Sequence, residues 1–388
     1  MKESDQEQTG NPKWIIESSA LRLLFEVLQR EGYQLVGPTI RQEAIVYDRL
    51  ESANDLPIGW TDEQEAGSYR LKRRPDQAWF GYAVGPHSWK KYLFPSRLKL
   101  WTAKREGNDF SINEEQTVST KYAFIGVRSC ELHAIAIQDR VFMGQQHTDP
   151  HYRGVREGVF IVALNCGVAG GTCFCVSMQT GPQATTGYDL ALTEVIDGSN
   201  HYFVVDIGSE AGGQALAEIP RRVAEAPQIE ASARVVEETA QNMGRSMNTR
   251  DIKDLLYRNY EHPRWDNVAS RCLTCANCTL VCPTCFCSSV EDTTEVTGQQ
   301  AERWRQWDSC FTVDFSYLHG GSVRTSSRSR YRQWMTHKLA TWFDQFGTSG
   351  CVGCGRCISW CPVGIDITVE VQAIRDSEGA PPRQSEQE

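Results

Sequence analysis

Eight of the chain's fifteen cysteines fall into two runs of one spacing. These are Cys272-x2-Cys275-x2-Cys278-x3-Cys282-Pro283 and Cys351-x2-Cys354-x2-Cys357-x3-Cys361-Pro362. Three thiols two residues apart oblige the backbone to wrap around a common point. The fourth lies where the chain leaves, and the proline after it fixes φ and enforces the departure. A chain of 388 residues can bury real hydrophobic cores without disulfide staples. The odd cysteine count also excludes complete internal pairing. These thiols are there to hold something.

A loop with three closely spaced thiolates suits a [4Fe-4S] cubane, and in chains with two such runs the fourth cysteine ligates the other cluster. The expected ligand sets are Cys272, Cys275, Cys278 and Cys361 for the first cluster and Cys282, Cys351, Cys354 and Cys357 for the second. Crossed ligation makes both depend on one folded unit, although 68 residues, Pro283–Gly350, separate the runs. The competing reading is a pair of zinc ribbons in an interaction scaffold, which use Cys-x2-Cys pairs set further apart. Four cysteines in an eleven-residue run, found twice, favour the cubane.

The remaining thiols are also clustered. None occurs before residue 130, and then Cys130, Cys166, Cys173 and Cys175 follow. Tyr122–Val127 and Val159–Leu164 read as buried strands, each ending just before a cysteine. In open α/β sheets the carboxyl ends of strands form the crevice where ligands bind. If these strands are neighbours, Cys130 and Cys166 share a crevice, and the glycine-bearing loop GVAGGTCFC returns Cys173 and Cys175 to it. A third [4Fe-4S] cluster on these four is expected, with His133 as a neighbour rather than a ligand. Cys285, Cys287 and Cys310 are left without a role.

Apolar spacing predicts a helix over Glu17–Arg30, short strands at Glu43–Tyr47, Ser68–Leu71 and Trp79–Val84, a helix over 131–142 and a strand at Tyr202–Ile207. The expected fold is an α/β N-terminal region with a mostly parallel sheet, then an α-helical dicluster ferredoxin-like domain. In the latter, aromatic spacing predicts helices over Trp304–Leu318, which would make Cys310 a packing residue, and over Trp334–Phe346. The boundaries are 1–13, a disordered N-terminus; 14–230, the α/β domain with the third cluster; 231–262, a helical linker; 263–375, the two-cluster domain; and 376–388, a disordered tail.

Met1–Lys13 lacks the apolar core of a secretory signal, and no 18 consecutive residues are apolar, so a cytoplasmic chain with no membrane span is expected. A formal charge of −9 argues against nucleic acid as a partner. The basic run Arg324, Arg328, Arg330 and Arg332 reads as a solvated helix start or a docking face for an acidic partner. There is no dinucleotide or P-loop fingerprint and no nucleophile with recognisable local context. Gly208-x3-Gly212-Gly213 is only a weak candidate for a nucleotide loop. What remains is one-electron transfer.

Several stretches resemble one family: Leu56-Pro57, Gly67-Ser-Tyr-Arg70, Gly85-Pro86, Gly126-Val-Arg-Ser-Cys130-Glu-Leu, Asn165-Cys166, Thr172-Cys-Phe-Cys175 and Val281-Cys-Pro-Thr-Cys-Phe-Cys287. So does the stretch from Gly320-Gly321 through RYRQWMTHK to SGCVGCGRCISWCPVGIDI. They are similar to the iron–sulfur β subunit of soluble NAD(P)-linked [NiFe] hydrogenases, or sulfhydrogenases, and also to the iron–sulfur subunit of anaerobic siroheme sulfite reductases. The resemblance spans roughly residues 14–375. It implies a non-catalytic relay that joins a catalytic module to a flavoprotein NAD(P)H-oxidoreductase subunit. That module is the small and large [NiFe] subunits in the first case and a siroheme subunit in the second; the residues around Cys351–Cys361 favour the hydrogenase.

Overall fold

The computed structural model describes residues 12–114, 120–144, 147–198 and 200–378. The expected terminal tails lie almost wholly outside these ranges. An eight-stranded sheet dominates the N-terminal half. Its order is Arg222–Val223, Trp14–Glu17, Asn200–Ile207, Leu190–Asp197, Phe160–Leu164, Tyr122–Arg128, Gln34–Arg41 and Ala44–Arg49.

The sheet is mixed, not mostly parallel. The three central pairings are parallel and the four outer ones antiparallel. Two of the four antiparallel pairings are tight hairpins, and the other two come from Trp14–Glu17 inserting between Asn200–Ile207 and Arg222–Val223. One hairpin turns at Gln42 and Glu43, both in the left-handed region at φ 48° and 60°. Non-glycine residues rarely adopt that conformation, so no sequence signal marks the turn. The other follows Asp197-Gly198, an Asp-Gly signal that the sequence reading passed over.

Leu21–Arg30 forms the expected helix and buries Leu21, Leu24, Phe25 and Leu28 against one sheet face. The helix Ser129–Phe142 packs Leu132 and Ile135 against the other face, with Phe124 and Ile161. Trp79–Val84, expected as a strand, is irregular. Its amides are taken by carboxylates: Trp79 N and Phe80 N donate to Glu194 at 2.6 and 2.9 Å, and Ala83 N donates to Asp62 at 2.7 Å. Buried backbone donors have to be satisfied, and side chains do it here in place of a ladder.

The expected helix over Trp304–Leu318 is also corrected. Gln300–Trp307 is a strand, paired with Ser288–Thr294 on one side and with Arg97–Glu106 on the other, and Asp109–Glu114 completes a four-stranded sheet. Trp304 faces Arg97, whose guanidinium lies 4.2 Å from the ring centre. This sheet draws two strands from each half of the chain. The region expected to bridge the halves holds two helices, Ala226–Gln241 and Ile252–Arg258. Around the cysteine runs, Arg264–Arg271, Ser327–Thr336, Trp342–Phe346 and Ile367–Asp376 are helices over a core of Trp265, Met335, Leu339 and Ile374. No helix among the described residues is long and apolar enough to cross a membrane.

Candidate metal centre

The two cysteine runs fold alike. In the first, Thr274 and Ala276 adopt φ of 52° and 66°; in the second, Gly353 and Gly355 at the same offsets adopt 64° and 74°. Each loop then enters a four-residue helix, Asn277–Leu280 or Arg356–Ser359, whose second residue is the third cysteine of the run. Asn277 Nδ2 donates to Trp360 O at 3.2 Å, tying the end of one run to the other.

Why the second loop uses glycine where the first does not follows from its surroundings. A Cβ on Gly353 would stand 2.7 Å from the Cys175 backbone, and one on Gly355 would stand 2.4 Å from Thr172 O. The second loop is pressed against the 172–175 loop. The first is open on that side, and Cys275 is exposed.

Cys272, Cys275, Cys278 and Cys361 line one small cavity, together with Phe311, Tyr331 and Trp334, and Cys357 of the second run reaches the same lining. Burial pushes the Cys278 thiol well up, and the charges of Cys272, Cys361, Cys275 and Cys282 add to it. Around Cys357, the charges that follow burial are those of Cys351, Cys354 and Cys282. These neighbours are the members of the first and second expected sets, with Cys282 common to both. Main-chain amides donate to sulfur at Cys272 from Thr274 (3.4 Å), at Cys351 from Gly353 (3.5 Å) and at Cys361 from Ile365 (3.3 Å).

The parallel strands Tyr122–Arg128 and Phe160–Leu164 are direct neighbours. Cys130 and Cys166 follow their carboxyl ends. Both line a small cavity with Cys173 and Cys175, closed by Arg128, Met243 and Cys354. His133 is not among the residues lining it. Burial raises the Cys166 thiol, and Arg128 pulls against that rise. Burial also raises Cys130 and Cys175, the latter beside Cys166, Cys173 and Cys354.

The cavities fit iron–sulfur cubanes by their chemistry: thiols as donors, enclosure in protein, and amide donors to sulfur in the cysteine runs. Among the described residues, no three His, Cys, Asp or Glu side chains gather closely enough for a single metal ion.

Of the three unassigned thiols, Cys285 lies beside Cys282 of the second set and Cys310 lies near Cys278 of the first. Cys285 is hydrogen-bonded to Cys282. Cys287 and Cys310 hydrogen-bond to each other, and that contact leads the causes that draw Cys287 down to about 7. Cys310 lies just beyond the strand Gln300–Trp307, not on the apolar face of a helix.

The sequence reading missed several residues that hold the site. Arg356, between Cys354 and Cys357, is fully buried and forms an ion pair with Glu131, the neighbour of Cys130. Its Nε donates to Gly85 O at 2.9 Å and His87 O at 3.1 Å. Tyr47 OH donates to Glu131 at 2.6 Å and Trp89 Nε1 at 3.1 Å. Gln64 accepts from Ser359 at 2.6 Å and from Thr172 at 3.3 Å. Only the resemblance, which included Glu131 and Arg356 among its matching residues, pointed to any of them. Most of the basic run is spent internally: Arg330 donates to Phe311 O at 2.7 Å, and Arg328 and Arg332 pair with Glu261.

A family model described as a 4Fe-4S dicluster domain matches residues 271–365. Sulfhydrogenase 2 subunit beta of Pyrococcus furiosus is 34% identical over 260 residues, covering 66% of this chain and 75% of that protein. No solved structure matches. With an extended match to one relative and a dicluster match centred on the cysteine runs, the chain belongs to the iron–sulfur β subunits of the sulfhydrogenase family, electron-transfer proteins that carry [4Fe-4S] clusters.

Proposed function

We propose that the chain relays single electrons through three [4Fe-4S] clusters between the small and large subunits of a [NiFe] hydrogenase and a flavoprotein NAD(P)H-oxidoreductase subunit. One observation carries the reading: the three cysteine groups are continuous. Cys357 of the second set stands in the lining of the cavity that holds Cys272, Cys275, Cys278 and Cys361, and Cys354 stands in the lining of the cavity that holds Cys130, Cys166, Cys173 and Cys175. This arrangement supports a second set between the other two, as a linear relay requires. The relative's name, a sulfhydrogenase subunit, supports hydrogenase partners.

In this reading Cys272, Cys275, Cys278 and Cys361 hold the first cluster, Cys282, Cys351, Cys354 and Cys357 the second, and Cys130, Cys166, Cys173 and Cys175 the third. Bound clusters supply one-electron chemistry. The chain's part is to hold them close, exclude water and aim amide donors at sulfur. Residues 14–230 would carry the third cluster and 263–375 the other two, with 231–262 joining them.

Anaerobic iron and acid-labile sulfide counts test the proposal. About twelve irons per chain are expected, falling to about eight in Cys130→Ser. An unchanged count in that variant would show the third set to be misassigned, and zinc without sulfide would return the scaffold reading. The isolated chain should show reducible clusters by EPR and no turnover of hydrogen, NAD(P)H or sulfite. Turnover by the chain alone would refute the relay. Co-purification with a siroheme protein instead of a nickel protein would move it to the sulfite reductases.

A further inference from the structure

Lys338 occupies an uncommon place for a charged side chain. It lies in the π-helical turn His337–Thr341 that joins the helices Ser327–Thr336 and Trp342–Phe346, and it is 4% exposed. Single π turns inside helices recur at functional sites. Here the turn faces the junction of the two cysteine runs. The Lys338 ammonium donates to Cys282 Sγ at 3.2 Å, Thr284 Oγ1 at 3.1 Å and Gly350 O at 3.1 Å, with Cys285 Sγ at 3.6 Å. Gly350 N returns a bond to Lys338 O at 2.8 Å.

Among the described residues, Lys338 has no carboxylate partner. A buried ammonium held by neutral groups alone is costly, so its countercharge has to be the thiolates it touches. Lys90, 3% exposed, reaches the 280–285 segment around Cys282 from the other half of the chain. It donates to Cys285 O at 3.2 Å and Leu280 O at 3.4 Å and lies 3.9 Å from the Trp307 ring centre. It bonds main-chain oxygens, whereas Lys338 bonds sulfur.

We infer that Lys338 raises the reduction potential of the second cluster through a charge-assisted N–H···S bond to Cys282. The inference rests on the relay reading, in which Cys282 is a ligand. Reduction adds one electron, hence one negative charge, to a thiolate-ligated cluster. A cation fixed at one of its sulfurs stabilises the reduced form more than the oxidised form, and burial strengthens the effect. Net charge and hydrogen bonds to sulfur are the levers by which proteins set these potentials. With its potential raised, the second cluster would hold the electron in the middle of the relay.

The test is an EPR-monitored redox titration of the full chain, with iron and sulfide counted on each sample. Lys338→Met should move the midpoint of one cluster signal to more negative values and leave the others in place. Lys338→Gln, which keeps a donor but no charge, should fall between, and Lys338→Arg should stay near wild type. Full iron content with an unmoved midpoint in both the Met and Gln variants would overturn the inference. Should Lys338→Met not assemble, Lys338→Gln decides, with Lys90→Met expected to give a smaller shift of the same sign. A wild-type chain that binds iron but shows no second reducible cluster would instead overturn the relay reading.

Discussion

Arg356→Met separates two roles that the dicluster loop combines, ligation and attachment. The Arg356 guanidinium is fully buried, bonds the Gly85 and His87 carbonyls, and pairs with Glu131, itself 1% exposed. Removing one partner of such a pair strands the other charge in the interior and costs about 3–5 kcal/mol. Tyr47 and Trp89 still donate to the carboxylate, which keeps the cost within that range instead of above it. Adding Glu131→Gln removes the stranded charge, so the double variant should recover about 1–3 kcal/mol of coupling relative to the summed single costs. The assay is anaerobic guanidinium unfolding, followed by tryptophan fluorescence and by the visible absorbance of the clusters. Two probes are needed because cofactor-bearing chains depart from two-state behaviour. In Arg356→Met the absorbance should be lost at lower denaturant than in wild type, since the second and third cysteine groups share this tie. A wild-type midpoint, or strictly additive single costs, would show that the pair contributes nothing to holding the halves together.

Gly353→Ala places a Cβ 2.7 Å from the Cys175 backbone at φ 64°, so the second and third clusters should be lost together, leaving about four irons per chain. Thr274→Gly, at the matching offset of the open loop, should keep the full count. Burial holds His87 and His337 below their ordinary value of 6.5. The unfolded chain therefore takes up these protons first, so stability is intact above about pH 6.5 and declines as pH falls through the depressed folded values. Unfolding midpoints measured at pH 7.5 and 5.5 should show the decline, and it should be shallower in His87→Gln. Cys287, drawn down to about 7, should be alkylated by iodoacetamide with a pH midpoint near that value. Cys310→Ala, which removes the donor that leads the lowering, should move that midpoint upward; no movement would dismiss the contact.

What could be read in the sequence was whatever depends on near neighbours. Ligand spacing in the two runs is local, and so is the rule that put Cys130 and Cys166 at strand ends. The apolar strand Tyr122–Arg128 and the stripe through Leu21, Leu24 and Leu28 carry their own periodicity. Gln300–Trp307 does not, because its partner Arg97–Glu106 lies some two hundred residues upstream and its tryptophans mimic a helical repeat. The Gln42–Glu43 turn was hidden by residues that seldom adopt its backbone angles. Lys338 and Arg356 were hidden for a third reason: in sequence a cation reads as solvent-facing, and only the fold reveals the anionic partners that keep it inside.

The shared four-stranded sheet has a consequence for how the protein is made. Strands near residue 100 wait for a partner near residue 300, and Cys272, Cys275 and Cys278 wait for Cys361. Contacts this distant in sequence form slowly and late. During synthesis fifteen reduced thiols are thus presented with no finished pocket to shelter them, at the stage when oxidation to sulfenic acid or mispairing is easiest. The cavity lined by Cys272, Cys275, Cys278 and Cys361 is complete only once both cysteine runs have been made and have met, so the newborn polypeptide is the form whose thiols stand most open to oxidation.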